Sequence, residues 1–110
     1  MHQALFALAD DTRRRIVEVL AEGERSVGEL SVLFAISRPG VSRHLRVLRE
    51  AGLVSAEVDA QRRIYRLRPE PLAELDSWLA RWRPFWEQRL DALDTEIARG
   101  RRQPETRPGQ

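Results

Sequence analysis

Three observations predict a mostly α-helical domain carrying one small β-hairpin. Apolar residues recur at helical spacing in successive short segments up to about residue 50, most of them opened by a capping residue. Between residues 53 and 67 the pattern changes to strand-like alternation around a polar break. Beyond Pro69 a helical stripe returns and runs on to Ile97. With 110 residues, 42% of them apolar and 33% charged, the chain is one globular domain, too short for two and too apolar for disorder.

The first candidate helix, His2–Leu8, is short and apolar, with Leu5, Phe6 and Leu8 available for burial. Asp10 or Asp11 can cap the next helix, whose Ile16, Val17 and Leu20 form an inward stripe and which Gly23 ends. Thr12, Arg13 and Arg14 stand near its start, where phosphates would lie if nucleic acid is bound. Ser26, with Glu29 three residues on, makes a capping box for a third helix. Val27, Leu30, Leu33 and Phe34 give that helix its buried face. Ala35 and Ile36 then make a tight connection into Ser37, the N-cap of a fourth helix with Pro39 in its first turn. Val41, Leu45 and Leu48, at i, i+4 and i+7, are the buried stripe of this helix. The opposite arc holds Pro39, Ser42, Arg43, Arg46, Arg49 and Glu50, and apart from Glu50 it is cationic or small. Gly52 can close the helix in a left-handed conformation.

Leu53–Val58 and Arg62–Leu67 are strand candidates, separated by Asp59, Ala60 and Gln61. Two short helices joined by a tight turn, the second basic on its outer face and followed by a hairpin, form a winged helix-turn-helix. Its recognition helix spans residues 37–50 and its wing residues 54–67. Pro69 and Pro71 close the wing and start a long helix running to about Arg99. Leu72, Leu75, Leu79, Trp82, Trp86, Leu90, Leu93 and Ile97 follow one another at spacings of three or four, close to a coiled-coil seam. Trp78 and Phe85 widen it. One small core cannot cover a stripe this long and aromatic, so a second copy of the chain is expected against it. The expected fold is therefore dimeric, with a long C-terminal dimerisation helix. Pro84 should kink that helix or split it in two. The aromatic cluster around Pro84 suits either dimer packing or an apolar ligand pocket. Residues 100–110 hold no apolar side chain and read as a disordered tail.

Where the charge sits narrows the function. The net charge is only +2, yet residues 37–68 carry eight arginines against Glu50, Glu57 and Asp59. All nineteen basic residues are arginine. Codon composition can favour arginine over lysine, but it does not choose where charge falls. A basic patch on a near-neutral protein points to a polyanionic partner. Taken alone, the fourth helix reads better as an ordinary surface helix with a solvated charged face. Placed before a wing, its arginines can reach guanine O6 and N7 in the major groove of double-stranded DNA, and its serine a base or a phosphate. The wing would present Arg62 and Arg63 to an adjacent groove or phosphate.

Other classes find little support. Ser42 and His44 lie two apart on a helix and point about 200° from each other, so they cannot pair as nucleophile and base. No phosphate-binding glycine loop and no paired carboxylates in a cleft-like context are present, so no enzyme and no cofactor are expected. The absence of cysteine excludes disulfides and thiolate metal sites. No apolar run approaches the ~18 residues that span a bilayer, and no charged-then-apolar leader opens the chain, so a cytoplasmic, membrane-free protein is expected. The alternative to DNA binding is a winged-helix module that uses its aromatic final helix to bind protein or to sense a small molecule.

In order and spacing, LADDTRRRIVEVL, VGELSVLFAISRPGVSRHLRVLREAGLV and RRIYRL resemble the ArsR family of winged-helix transcriptional repressors, over roughly residues 3–98. The resemblance implies a homodimer joined through the first and last helices, about residues 1–9 and 70–99, within one DNA-binding domain of residues 1–99. That brings Leu5 into an interface with Leu79, Trp82, Phe85, Trp86, Leu90 and Leu93. It also implies recognition helices in successive major grooves of a palindromic operator. Arg38, Pro39, Ser42 and Arg43 would face the DNA, Arg46 and Arg49 would hold phosphates, and Arg62 and Arg63 would lie near the backbone. The best-known members bind metal through cysteines near the start of the third helix or through His/Asp/Glu clusters on the last. Here the first region reads ELSVLFA, residues 69–99 contain no histidine, and His2 and His44 are the only two in the chain. His44 lies close to the apolar stripe and suits a structural role. The chain therefore resembles the metal-independent branch, and a small-molecule inducer is left open.

Overall fold

The computed structural model describes residues 1–102, with side chains through residue 100. Six helices and three short strands follow one another as α1 (His2–Leu8), α2 (Asp11–Glu22), β1 (Arg25–Ser26), α3 (Val27–Phe34), α4 (Arg38–Glu50), β2 (Val54–Asp59), β3 (Arg62–Leu67), α5 (Glu70–Ala80) and α6 (Arg83–Arg102). The chain divides into a unit of residues Met1–Leu75 and a second that begins at Asp76.

Local chemistry sets the helix ends. Asp10, and not Asp11, caps α2 by accepting a hydrogen bond from the Arg13 N–H at 2.9 Å. At α3 the capping box is complete: Ser26 Oγ accepts from the Glu29 N–H at 3.1 Å, and the Ser26 N–H donates to Glu29 Oε1 at 2.8 Å. Helix α4 ends in a Schellman motif. The Leu53 N–H reaches the Leu48 carbonyl and the Gly52 N–H the Arg49 carbonyl, both at 2.9 Å, with Gly52 at φ 76°. Because Leu53 is taken up by that cap, the first wing strand begins at Val54, one residue later than alternation suggested.

The core of the first unit joins Ala4 and Ala7 of α1 to Ile16, Val17 and Leu20 of α2 and Leu30 of α3. Val41, Leu45 and Leu48 of α4 complete it with Leu53, Val54, Tyr65 and Leu75. Two expected faces are corrected. In α1 the alanines are buried while Leu5 is 49% and Phe6 63% exposed, since small residues let α1 lie close to its neighbours. In α3 only Leu30 is fully buried; Val27 and Phe34 are half-buried and Leu33 is exposed. Eight residues expose too short an arc to bury every apolar side chain.

The sheet has three strands in the order β1-β3-β2, all antiparallel. The wing pairs from Val54↔Leu67 to Asp59↔Arg62. Strand β1, which pairs Arg25 with Tyr65 and Ser26 with Ile64, makes β3 the central strand. That is why Ile64 and Tyr65, neighbours on opposite faces, are both buried.

The expected long helix of residues 70–99 is split, with α5 ending at Ala80 and α6 starting at Arg83. Pro84 falls in the first turn of α6, where no backbone N–H is needed. The turn is closed by the Trp82 N–H on the Leu79 carbonyl at 2.9 Å. Trp78 and Trp82 meet edge to face at 6.0 Å, and the Arg89 guanidinium lies 4.4 Å from the Phe85 ring centre. Helix α6 continues through Arg102, past the boundary expected at residue 99. The rest of the expected tail, residues 103–110, lies outside the described residues.

The Asp10 cap makes one pH dependence. The Arg13 N–H first, and then the Arg13 and His44 charges, hold the Asp10 carboxyl below its ordinary value. A carboxyl whose value is lower folded than unfolded stabilises the fold above its unfolded value, and that contribution fades as pH falls through the folded one. Denaturant titrations between about pH 5 and pH 2 should show the unsubstituted chain losing more stability than Asp10→Asn, which keeps a capping oxygen without the charge. Equal losses would show that the carboxylate contributes nothing.

Candidate nucleic-acid interface

The turn between α3 and α4 is three residues, Ala35, Ile36 and Ser37. Ala35 takes the left-handed conformation at φ 54°. The Ile36 N–H returns to the Ser31 carbonyl at 3.2 Å, while Ser31 Oγ donates to the Ile36 carbonyl. Ser37 then caps α4 by accepting from the Gly40 N–H at 3.2 Å. Gly40 is buried against this turn, and a Cβ there would sit 2.7 Å from Ile36 Cγ2. Ile36 is β-branched and stiff at χ1. Gly40→Ala is therefore expected to destabilise the domain by about 1–3 kcal/mol through overpacking, although alanine is the better helix former. A melting temperature equal to that of the unsubstituted protein would refute the clash.

Helix α4 divides as its sequence pattern suggests. Val41, Leu45 and Leu48 are completely buried, and Arg38, Pro39, Ser42, Arg43, Arg46 and Arg49 are all exposed. At the wing tip Asp59 pairs with Arg62 across the two-residue turn Ala60–Gln61, with Ala60 at φ 58°. Arg62 and Arg63 are exposed beside that turn. Helix and wing face one another across two adjoining grooves. One is lined by Val27, Ser42, Arg46, Arg49, Arg63 and Tyr65, the other by residues that include Gly28, Arg38, Gln61, Arg62 and Arg63. In the second groove the Arg38 guanidinium rests over Gly28, 3.1 Å from where a Cβ would stand. All eight expected DNA-facing residues thus lie on α4 or on the wing strand that shares these grooves.

Ion pairing sorts the local arginines in a way the sequence did not reveal. Arg66 pairs with Glu24 and with Glu57, the latter at 3.2 Å, and Arg68 pairs with Glu70 at 3.3 Å. The Glu24 hydrogen bond raises Arg66 further above its ordinary value. Among the described residues, Arg38, Arg43, Arg46, Arg49, Arg62 and Arg63 have no acidic oxygen within 4.0 Å. Within residues 37–68, the unpaired guanidiniums are those on α4 and the wing tip.

The start of α2 is corrected. Arg13 Nε donates to the Ala7 carbonyl at 2.7 Å and its Nη2 to that of Phe6 at 3.4 Å. Arg14 Nη1 donates to the Leu8 carbonyl at 2.6 Å and pairs with Asp11. Both side chains satisfy the open carbonyls that end α1, so they are bound within the protein instead of waiting on phosphates. His44 is half-buried on the flank of α4, its Nδ1 3.4 Å from Arg13 Nη1 and 3.9 Å from Asp10 Oδ2.

Of the expected dimer contacts, Leu5, Leu79, Trp82, Phe85, Leu90 and Leu93 are exposed large apolar side chains in the single chain, and Trp86 is half-buried. Among the described residues no three His, Asp or Glu side chains gather as metal ligands. No described helix is long and apolar enough to cross a membrane.

Comparison with known proteins adds four findings. Residues 10–56 match the model of a family described as "Bacterial regulatory protein, arsR family". The HTH-type transcriptional regulator Rv2034 of Mycobacterium tuberculosis is 50% identical over 88 residues, covering 80% of this chain and 79% of that protein. The transcriptional repressor SdpR of Bacillus subtilis is 32% identical over 79 residues, covering 72% and 88%. Among solved structures, a homodimeric winged helix-turn-helix DNA-binding domain from Mycobacterium bovis superposes with a TM-score of 0.62 at 30% identity, covering 72% of this chain and 73% of that one.

Proposed function

Since the chain belongs to the ArsR family and is a DNA-binding transcriptional regulator, we propose that it works as a homodimeric repressor that reads an inverted-repeat operator. The observation that carries this reading is the set of unpaired arginines shared by α4 and the wing. In this reading α4 enters the major groove, where Arg38, Pro39, Ser42 and Arg43 at its start face the bases. Arg46, Arg49, Arg62 and Arg63 hold phosphates on either side.

A second copy covers the apolar faces of α1 and of α6 with the turn before it, which in one chain leave Leu5, Trp82, Phe85, Leu90 and Leu93 exposed. The homodimeric M. bovis domain supports a homodimer, and the repressor SdpR supports the direction of regulation. Residues 1–99 serve as one functional domain, acting in the cytoplasm where its DNA is. The chain falls in the metal-independent branch. Its chemistry supports this, since it has no cysteine and only two histidines, leaving carboxylates that suit hard cations over the softer transition metals.

Selection of duplexes from a random-sequence pool, followed by mobility shifts, tests the reading. The expected product is an inverted repeat with half-sites about one helical turn apart. Arg43→Ala should then cost about 1–3 kcal/mol and relax preference at one base pair of each half-site. A pool that yields no preferred sequence at physiological salt would overturn the proposal.

A further inference from the structure

The side chains of Asp10, Arg13 and His44 meet where α1, α2 and α4 come together, and none of them belongs to the DNA-facing set. Arg13 is anchored three times, through its N–H on Asp10, through Nε on the Ala7 carbonyl at 2.7 Å and through Nη2 on the Phe6 carbonyl at 3.4 Å. Its remaining reach, Nη1, ends 3.4 Å from His44 Nδ1. A guanidinium can only donate, so this contact requires a lone pair on Nδ1 and places the neutral ring's proton on Nε2. The same Nδ1 lies 3.9 Å from Asp10 Oδ2, which can only accept from it while ionised. One ring nitrogen therefore faces two partners that demand opposite protonation states.

We propose that His44 is a positioning residue for DNA recognition, a joint that sets α4 against the α1–α2 corner and changes partner when its ring gains a proton. The neutral ring accepts from Arg13 and ties α4 to the carbonyl end of α1. The protonated ring opposes the Arg13 charge and donates to Asp10, drawing that carboxylate away from the N–H it caps. Among the described residues, these two are the charged side chains within 4.0 Å of the ring nitrogens. Helix α2 brings Asp10 and Arg13, α1 brings carbonyls already held by Arg13, and on α4 itself no charged side chain bonds the imidazole. His44 follows Ser42 and Arg43 directly, so a shift of its anchor tilts the start of the recognition surface. Sequence-specific affinity, not general attraction to DNA, is what this joint controls.

The DNA arm of the test rests on the operator reading above; the spectroscopic arm does not. Nitrogen-15 spectra of the free, unsubstituted protein report the ring's tautomer, and a neutral ring protonated on Nε2 is expected. A neutral ring protonated on Nδ1 overturns the proposal without any DNA. For the second arm, affinity for a duplex selected from random sequence is measured from about pH 7.5 to pH 5.5, relative to a scrambled duplex. The ratio for the unsubstituted protein should fall about fivefold, the scale of one hydrogen bond. His44→Gln keeps an acceptor for Arg13 that does not titrate, and its ratio should stay level. Profiles that superimpose would assign the dependence to His2 or to the DNA and sink the proposal. If no duplex is selected at all, the operator reading fails, and the tautomer still decides the joint.

Discussion

Leu45→Ala is expected to destabilise the domain by about 2–5 kcal/mol, the range for a large-to-small change at a well-packed site. Leu45 is fully buried in the middle of α4, between Val41 and Leu48, in a core shared with α1, α2 and α3. Domains of this size are stabilised by only about 5–15 kcal/mol, so the loss is a large part of the total. Thermal or urea unfolding monitored by circular dichroism measures it, and DNA binding should disappear with the fold. Arg43→Ala, two residues away but on the exposed arc, should leave stability within about 0.5 kcal/mol. If the two variants melted together, the division of α4 into a packed back and a free front would be wrong.

Replacing Arg46, Arg49, Arg62 and Arg63 together by alanine should give the largest change in binding. Each phosphate contact contributes about 0.9 to the slope of log affinity against log salt, so the slope should flatten by about four units per protomer. The control comes from the ion pairs. Arg66 is held by Glu24 and Glu57 and Arg68 by Glu70, so removing those two arginines should leave the slope nearly unchanged. Fluorescence anisotropy on a fixed duplex across a salt series reads both. Equal flattening in the two variants would mean that binding senses total charge and ignores its placement.

Most of the fold was legible because its helix ends are written in local chemistry. Asp10, Ser26 with Glu29, Ser37 and Gly52 each act within a few residues of themselves, and periodicity marked the buried side of α4. What escaped notice depends on distant partners. Strand β1 is two residues long and exists because Tyr65 and Ile64 pair with it; two residues have no period to read. Arg66 looked like part of the basic patch until folding brought Glu24, forty-two positions away, against it. Arg13 and Arg14 looked like phosphate ligands because nothing local reveals that α1 ends against them. The burial of Ala4 and Ala7 in place of Leu5 and Phe6 has the same origin, since how closely a helix approaches is a tertiary property. The candidate site was therefore legible in position, and its electrostatics only in part.

The unpaired guanidiniums of α4 and the wing have a consequence for regulation by covalent chemistry. No lysine occurs anywhere in this sequence, so acetylation of side-chain amines has nothing to act on. Guanidinium also keeps its proton at any pH a cell reaches. The positive charge of this face is thus constant under both of the common routes by which cells neutralise DNA-binding surfaces. Occupancy of an operator must then be set by where the two faces are held, by how many protein molecules there are, or by the ionic strength around them.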